Sequence, residues 1–359
     1  MAEISKENED NFIFKMKVLY NQMIHIPSMF STLKTEFPLF FETDTTNIIH
    51  LPMTLQSKII QKPTRGYCSK FIKMLTQTLE RLDKEVNESI LEKFLEIISP
   101  ITPHQNDDGG DNNQSEDKTE YCWKSYYIQN KWITLKNENA YNLVGMTTWG
   151  AAYQLSDFIL SNQNLFINKN ILELGSGTGL VGIILDFIKP LKKVILTDYS
   201  PKVLKNLKFN MELNNLEIQD FINDDDDDNN NNVNKENDDK INQVRVLDWE
   251  IEDLNILNNY SGLNDSNIIL GADIVYEPSL CKYLVSILYF LLERNENSVA
   301  YISSTIRNQS TFSIFQKELN LKNLTVIDIT KQFEQSSPTS PFIYDRSQIV
   351  LYKIYLEKK

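Results

Sequence analysis

Apolar and polar positions along the chain fall into two regimes. Up to residue 100 the apolar residues recur at steps of three and four. Phe71, Leu75, Leu79, Leu82, Val86, Ile90 and Phe94 share one helical face, and their pattern stops at Pro100. An aromatic-rich stretch over 12–41 keeps the same period until Pro38 interrupts it. This predicts an α-helical N-terminal region over residues 1–104. From residue 121 the period shortens. Residues 121–128 and 131–135 read as a hairpin around Gln129 and Asn130, and 150–160 reads as a helix. Short apolar runs then follow at 171–174, 194–198, 244–247, 268–272, 299–304, 324–328 and 348–355, with helical periods in most gaps. That alternation predicts an α/β fold, a doubly wound, Rossmann-like sheet of seven strands within a domain over 121–359. The last run follows a Pro-containing loop instead of a helix, so it is expected to return antiparallel beside the sixth.

Composition changes this picture little. The apolar fraction of 41% suits a globular protein, and the first ten residues, with three glutamates and an aspartate, do not resemble a targeting segment. The longest apolar helical run, 284–292, is far short of the roughly 20 residues that span a bilayer. Cys68, Cys122 and Cys281 are odd in number and lack C-x-x-C spacing, as expected of reduced thiols in a cytosolic or nuclear protein; a cytoplasmic monomer is the expectation. His25, His50 and His104 lack the spacing of a metal pair, so no metal is expected. The net charge of −13 sits wholly in two Asn/Asp-rich tracts, 105–120 and 217–240. They read as a solvated linker and a solvated insertion, with attraction of a basic partner surface as the alternative. No basic stripe is evident, so neither nucleic acid nor membrane is an expected partner.

The chemistry concentrates at strand ends. Residues 171–179 read Ile-Leu-Glu-Leu-Gly-Ser-Gly-Thr-Gly, a strand running into a turn and then an apolar helix. Without Cβ atoms at Gly175 and Gly177, and with Ser176 between them, backbone N–H groups can close on a ligand. Asp198, at the tip of the next strand, can accept both hydroxyls of a ribose. The spacing is G-x-G-x-G, not the G-x-G-x-x-G of nicotinamide folds. Glu173 would repel a pyrophosphate but suits the cationic methionine end of S-adenosylmethionine, the expected cofactor. Asp248-Trp249 follows the third strand, where the indole can cover the adenine and Asp248 can face its polar edge; the bland reading makes Trp249 a core aromatic. Thr147-Thr148-Trp149 can wall the methionine side. Ala272-Asp273-Ile274-Val275-Tyr276 ends the fourth strand with a carboxylate and a phenol facing the transferable methyl, unless Asp273 merely caps the next helix. Arg307 reaches either substrate or a structural carboxylate.

Leu-Glu-Leu-Gly-Ser-Gly-Thr-Gly, Leu-Asp-Trp and Ala-Asp-Ile-Val-Tyr together resemble the family-16 seven-β-strand protein lysine methyltransferases. Within that family, 143–149, Asn308 and the segment 62–68 look like the branch that modifies eukaryotic elongation factor 2. The resemblance implies cofactor contacts at Trp149, Gly175, Ser176, Gly177, Asp198, Trp249 and Ala272. It places Asp273 and Tyr276 at the substrate side and makes a protein, elongation factor 2, the partner. Adenine or glutamine methylation would go with an Asn/Asp-Pro-Pro-Tyr segment, which this chain lacks. A small-molecule methyltransferase, a non-catalytic cofactor-binding scaffold and a nicotinamide oxidoreductase stay open as rivals.

Overall fold

The computed structural model describes residues 5–42, 63–83, 121–138, 144–221, 242–251, 267–295, 297–336 and 339–357, with isolated positions at 86–99 and 254. The chain divides into two compact units, Met1–Ala140 and Tyr141–Lys359.

In the first unit, α1 (Lys6–Asn21), α2 (Ile26–Glu36), the single turn α3 (Leu39–Glu42) and α4 (Arg65–Arg81) surround one apolar cluster. Phe12 stacks on Phe40 at 4.2 Å, and Phe71, Leu75 and Leu79 are buried. Ser5 and Thr64 cap α1 and α4 by accepting from Asn8 and Tyr67 N–H, satisfying donors that an uncapped helix leaves open. The periodic face that runs on to Phe94 is interrupted at Asp83, whose φ of +55° ends α4; Ile90 and Phe94 lie outside the described residues.

Strands β1 (Tyr121–Ile128) and β2 (Lys131–Glu138) pair as the expected hairpin, with Gln129 and Asn130 both at positive φ, as a two-residue I′ turn requires. The hairpin belongs with the helices, not with the second unit as the domain boundary at 121 supposed. Phe14 of α1 meets Tyr127 edge-on at 5.0 Å, and Lys17 lies over Trp132.

The second unit is built on an eight-stranded sheet. Its strands are β3 (Asn170–Leu174), β4 (Lys193–Asp198), β5 (Ile218–Phe221), β6 (Asn242–Val246), β7 (Ile268–Ala272), β8 (Val299–Thr305), β9 (Thr325–Asp328) and β10 (Ile349–Tyr355). Their spatial order is β5-β6-β4-β3-β7-β8-β10-β9. Two features differ from the sequence reading. The tract 217–240 opens with an edge strand, β5, parallel to β6, so its first residues belong to the sheet and not to a solvated insertion. And β10 does not merely flank the sixth predicted strand. It lies between β8 and β9, antiparallel to both.

The helices of this unit are α5 (Gly150–Ser161), α6 (Leu180–Leu185), α7 (Pro201–Leu213), α8 (Cys281–Arg294), α9 (Gln309–Leu321) and α10 (Thr330–Ser336). Leu172, Ile269 and Ile302 of the sheet bury against Val285 and Leu288 of α8 and Phe315 of α9. Helix α5 carries a buried carboxylate, Asp157, which accepts from Ser340 Oγ, Tyr344 Oη and Arg346 Nη2 at 2.8–3.0 Å and so ties the segment before β10 to that helix. Strand β3 is followed by β4 on one side, while β7 and β8 extend the sheet on the other. That reversal leaves a crevice at the carboxyl ends of β3, β4 and β7.

Candidate active site

The crevice is a cavity of about 320 Å³. Its walls include Glu173, Gly175, Ser176, Gly177, Asp198, Asp248, Trp249, Ala272, Asp273 and Tyr276, together with Thr147, Thr148 and Trp149. The cofactor and substrate-side residues expected from sequence are therefore brought to one place, while Arg307 does not line the cavity.

The turn after β3 is fixed by backbone and hydroxyl bonds to β4. Ser176 N–H donates to Thr197 carbonyl (2.7 Å), and Thr197 N–H returns a bond to Ser176 Oγ (3.1 Å). Gly175 and Gly177 have φ of +64° and +53°, a region that side chains make costly. Space gives a second reason at Gly175: a Cβ there would sit 2.8 Å from Ile274 Cγ2 and 3.5 Å from the Trp249 ring. Trp249 thus packs against the core and also faces the cavity.

Asp198 ends β4 with one carboxylate oxygen accepting from Gly177 N–H (3.1 Å) and the other from Ser200 N–H (3.2 Å). Tyr199 N–H bonds to it as well, and the lone pairs left on the two oxygens give room for a ligand hydroxyl. Burial pushes its pKa up, partly offset by those N–H bonds. Glu173 is 1% exposed, and its Oε2 has no hydrogen-bond partner. Burial pushes its pKa from an ordinary 4.5 to about 8; Ser176 pulls it down and the charge of Asp198 adds to the rise. Asp248 accepts from Glu250 N–H at 2.9 Å, which holds the loop after β6.

Asp273 lines the cavity, but its carboxylate is engaged within the fold. It has φ of +56°, and its carboxylate turns to the end of β8. It accepts from Thr305 N–H (2.8 Å) and Thr305 Oγ1 (3.1 Å), and Arg307 grips both oxygens at 2.9 and 3.3 Å. It neither caps the next helix, which begins at Cys281 after a 3₁₀ turn, nor presents a free carboxylate to an amine. The guanidinium of Arg307 then lies 4.8 Å over the Trp149 ring, whose Nε1 donates to Val144 carbonyl. Of the two readings of Arg307, the structural carboxylate is the one seen. Asn308 caps α9, accepting from Ser310 and Thr311 N–H.

Tyr276 is 49% exposed at the cavity, its phenol pushed up by burial and then by Asp198 and Glu277. Tyr199, 68% exposed, also lines the cavity and went unread; an aromatic directly after the acid at a strand tip was the available signal. Thr178 was missed too. Its hydroxyl meets Thr148 Oγ1 at 2.8 Å and its carbonyl accepts from Asn210 on α7, a long-range pairing with no local signature. Among the described residues five acids line the cavity and no lysine, arginine or histidine does, so it is built for a ligand with cationic groups. Among the described residues, too, no group of side chains is arranged to hold a metal ion, and no helix is long and apolar enough to cross a membrane.

Residues 128–228 and 220–320 match the family described as lysine methyltransferase, which covers more than half of the sequence. The chain belongs to that family. The human protein-lysine N-methyltransferase EEF2KMT is 28% identical over 193 residues, 52% of this chain and 54% of its own. The protein-lysine N-methyltransferase EFM3 of Chaetomium thermophilum is 24% identical over 297 residues, 77% and 80% of the two chains. The Saccharomyces cerevisiae EFM3 is 24% identical over 307 residues, 77% and 79%. The chain spans about half the length of the human relatives it matches and about four-fifths of these two fungal ones.

With membership of a methyltransferase family goes S-adenosylmethionine as cofactor. The residues fit it. An unpartnered buried carboxylate oxygen at Glu173 suits a cationic amino-acid end, Asp198 has lone pairs for a ribose, and an indole stands beside a turn that only glycine fits.

Proposed function

We propose that this chain is a protein-lysine N-methyltransferase that modifies a lysine of elongation factor 2, the substrate of the branch it resembles. The observation that supports this most is a single acidic cavity joining the glycine turn, Asp198 and Trp249 to the half-exposed Tyr276. Asp198 would hold the ribose, Trp249 and Asp248 the adenine, and Glu173 with the turn over 175–177 the methionine end. Trp149 and Ala272 would close the cavity around the reacting centre. The bound cofactor supplies an electrophilic sulfonium methyl.

The protein's task is then to hold a neutral amine in line with that methyl. Such positioning supplies roughly 7–11 kcal/mol of barrier reduction. Deprotonating a lysine of pKa about 10.4 costs roughly 4–5 kcal/mol at neutral pH. No histidine follows His104, so no imidazole of the second unit takes the proton. Tyr276 and the partly apolar wall strip water from the ammonium and lower its pKa, and the proton leaves to solvent. Asp273 is assigned a positioning role: it fixes Arg307, which in turn covers Trp149. The protein is assigned to the cytoplasm, where this substrate works.

Purified chain incubated with labelled S-adenosylmethionine and a lysate from cells lacking it tests the assignment. A single labelled band at the size of elongation factor 2, with the label on lysine, is the expected result. Cofactor binding with label on a small molecule, or with no label anywhere, would overturn it.

A further inference from the structure

Glu173 poses a problem that the ligand-free protein must solve. Its side chain is buried and lines the cavity, and its Oε2 has no partner. The charged and titratable groups around the cavity offer an ionised Glu173 no cation. Strand β4 contributes Asp198. The loop after β6 contributes Asp248 and Glu250, and the segment after β7 contributes Asp273 and Tyr276. The guanidinium of Arg307, beyond β8, is gripped by Asp273 and lies over Trp149. The lining residues from 144–149 and from α5 and α6, which include Val144, Thr148, Ala152 and Leu180, are uncharged. An unpaired buried carboxylate beside a second carboxylate is costly, and protonation removes the cost.

We propose that Glu173 carries a proton in the ligand-free protein and releases it to solvent as the ammonium of the cofactor's amino-acid end enters the cavity. This rests on the reading of the cavity given above. The direction in which burial moves this carboxyl agrees with it. Because one proton leaves for each ligand bound, affinity rises about tenfold per pH unit wherever the free protein holds the proton and the ligand amine is still an ammonium, below about pH 7.

Calorimetry of the full chain at pH 6.5, in two buffers with different heats of ionisation, counts the protons. S-adenosylhomocysteine keeps the ammonium and lacks the sulfonium; it is expected to release close to one proton per molecule bound. 5′-Methylthioadenosine, which lacks the amino-acid end, should bind more weakly and release none. Glu173→Gln should bind S-adenosylhomocysteine with no proton release and a flat pH profile. A second measurement needs no variant: infrared difference spectra of the wild type should lose a protonated-carboxyl carbonyl band as S-adenosylhomocysteine is added. Binding without proton release, or without loss of that band, overturns this proposal alone. Failure of both compounds and of S-adenosylmethionine to bind overturns the reading of the cavity itself.

Discussion

At the scale of single residues, the site divides into side chains that face a ligand and side chains that hold others in place. Asp198 does both, since it accepts from Gly177 and Ser200 while lining the cavity. Asp198→Ala is expected to weaken S-adenosylmethionine binding at least tenfold, from a charge-assisted bond of about 1.5–3 kcal/mol, with loosening of the turn adding to the loss. Calorimetry showing wild-type affinity would remove Asp198 from the ribose site. Glu173 gives a pH signature in stability. Its carboxyl has a folded value near 8 and an ordinary value of 4.5, so between these the native state holds a proton that the unfolded chain has released. Its contribution is therefore full below about pH 4.5 and is lost as pH rises through about 8. Urea melts of ligand-free wild type and Glu173→Gln at pH 5, 6.5 and 8.5 should show the variant gaining on the wild type with rising pH; parallel curves would place a charged Glu173 in the free protein. That Glu173, Asp198 and Trp249 come together at one cavity was legible in the sequence, because all three sit at or just past strand ends. The grip of Arg307 on Asp273 was not, because it joins residues 34 apart through two neighbouring strands and leaves no local pattern.

Between elements, the Asp273 carboxylate is the clamp joining the end of β7 to the end of β8. Asp273→Ala removes four accepted bonds, strands Thr305 N–H, and forces alanine into a positive-φ position. It should lower stability by about 1–3 kcal/mol and cut turnover through a displaced Arg307, with cofactor affinity changed little. Asp273→Asn tolerates the backbone and keeps the Thr305 bonds, so it should recover most of the stability and less of the turnover. Equal activity of both variants and the wild type would reduce the clamp to a stabilising contact. The acidic tract offers a second test. Parallel strands need a connection of about a dozen residues, and 222–241 supplies the one between β5 and β6. Deleting 222–238 leaves only Asp239, Lys240 and Ile241 to cross over, so β5 should be lost and the melting temperature should fall. Deleting only Asp224 to Asp228 should leave melting and methylation within a few-fold of wild type. Strand β5 escaped the sequence reading because Ile218 to Phe221 is four residues long and opens an Asn/Asp-rich run whose composition dominates any window.

For the whole molecule, the two compact units set where the chain can be cut. Residues 141–359 hold every cavity-lining residue, so that fragment is expected to bind S-adenosylmethionine. A fragment starting at 105 keeps β1 and β2 but loses the α1 residues Phe14 and Lys17 that pack on Tyr127 and Trp132, and it should be the less soluble of the two. The 141–359 fragment should lose methylation of the intact protein substrate, because choosing one lysine among many needs docking surface beyond the cavity. Full activity on the folded substrate would make the first unit a stabilising extension. The place of β10 also carries a consequence for how the chain is made. On the ribosome β8 emerges first of these three strands, and β9 follows it before β10 exists. The edge of β8 that bears Ala300, Ile302 and Ser304 must wait, unpaired, for a strand synthesised later, and must not accept β9 in its place. Strand β9 is only four residues long and half exposed, which makes it a weak competitor for that edge. Until Ile349 to Tyr355 arrives, the nascent chain is a sheet with its central edge open, a state that chaperones hold and proteases clear.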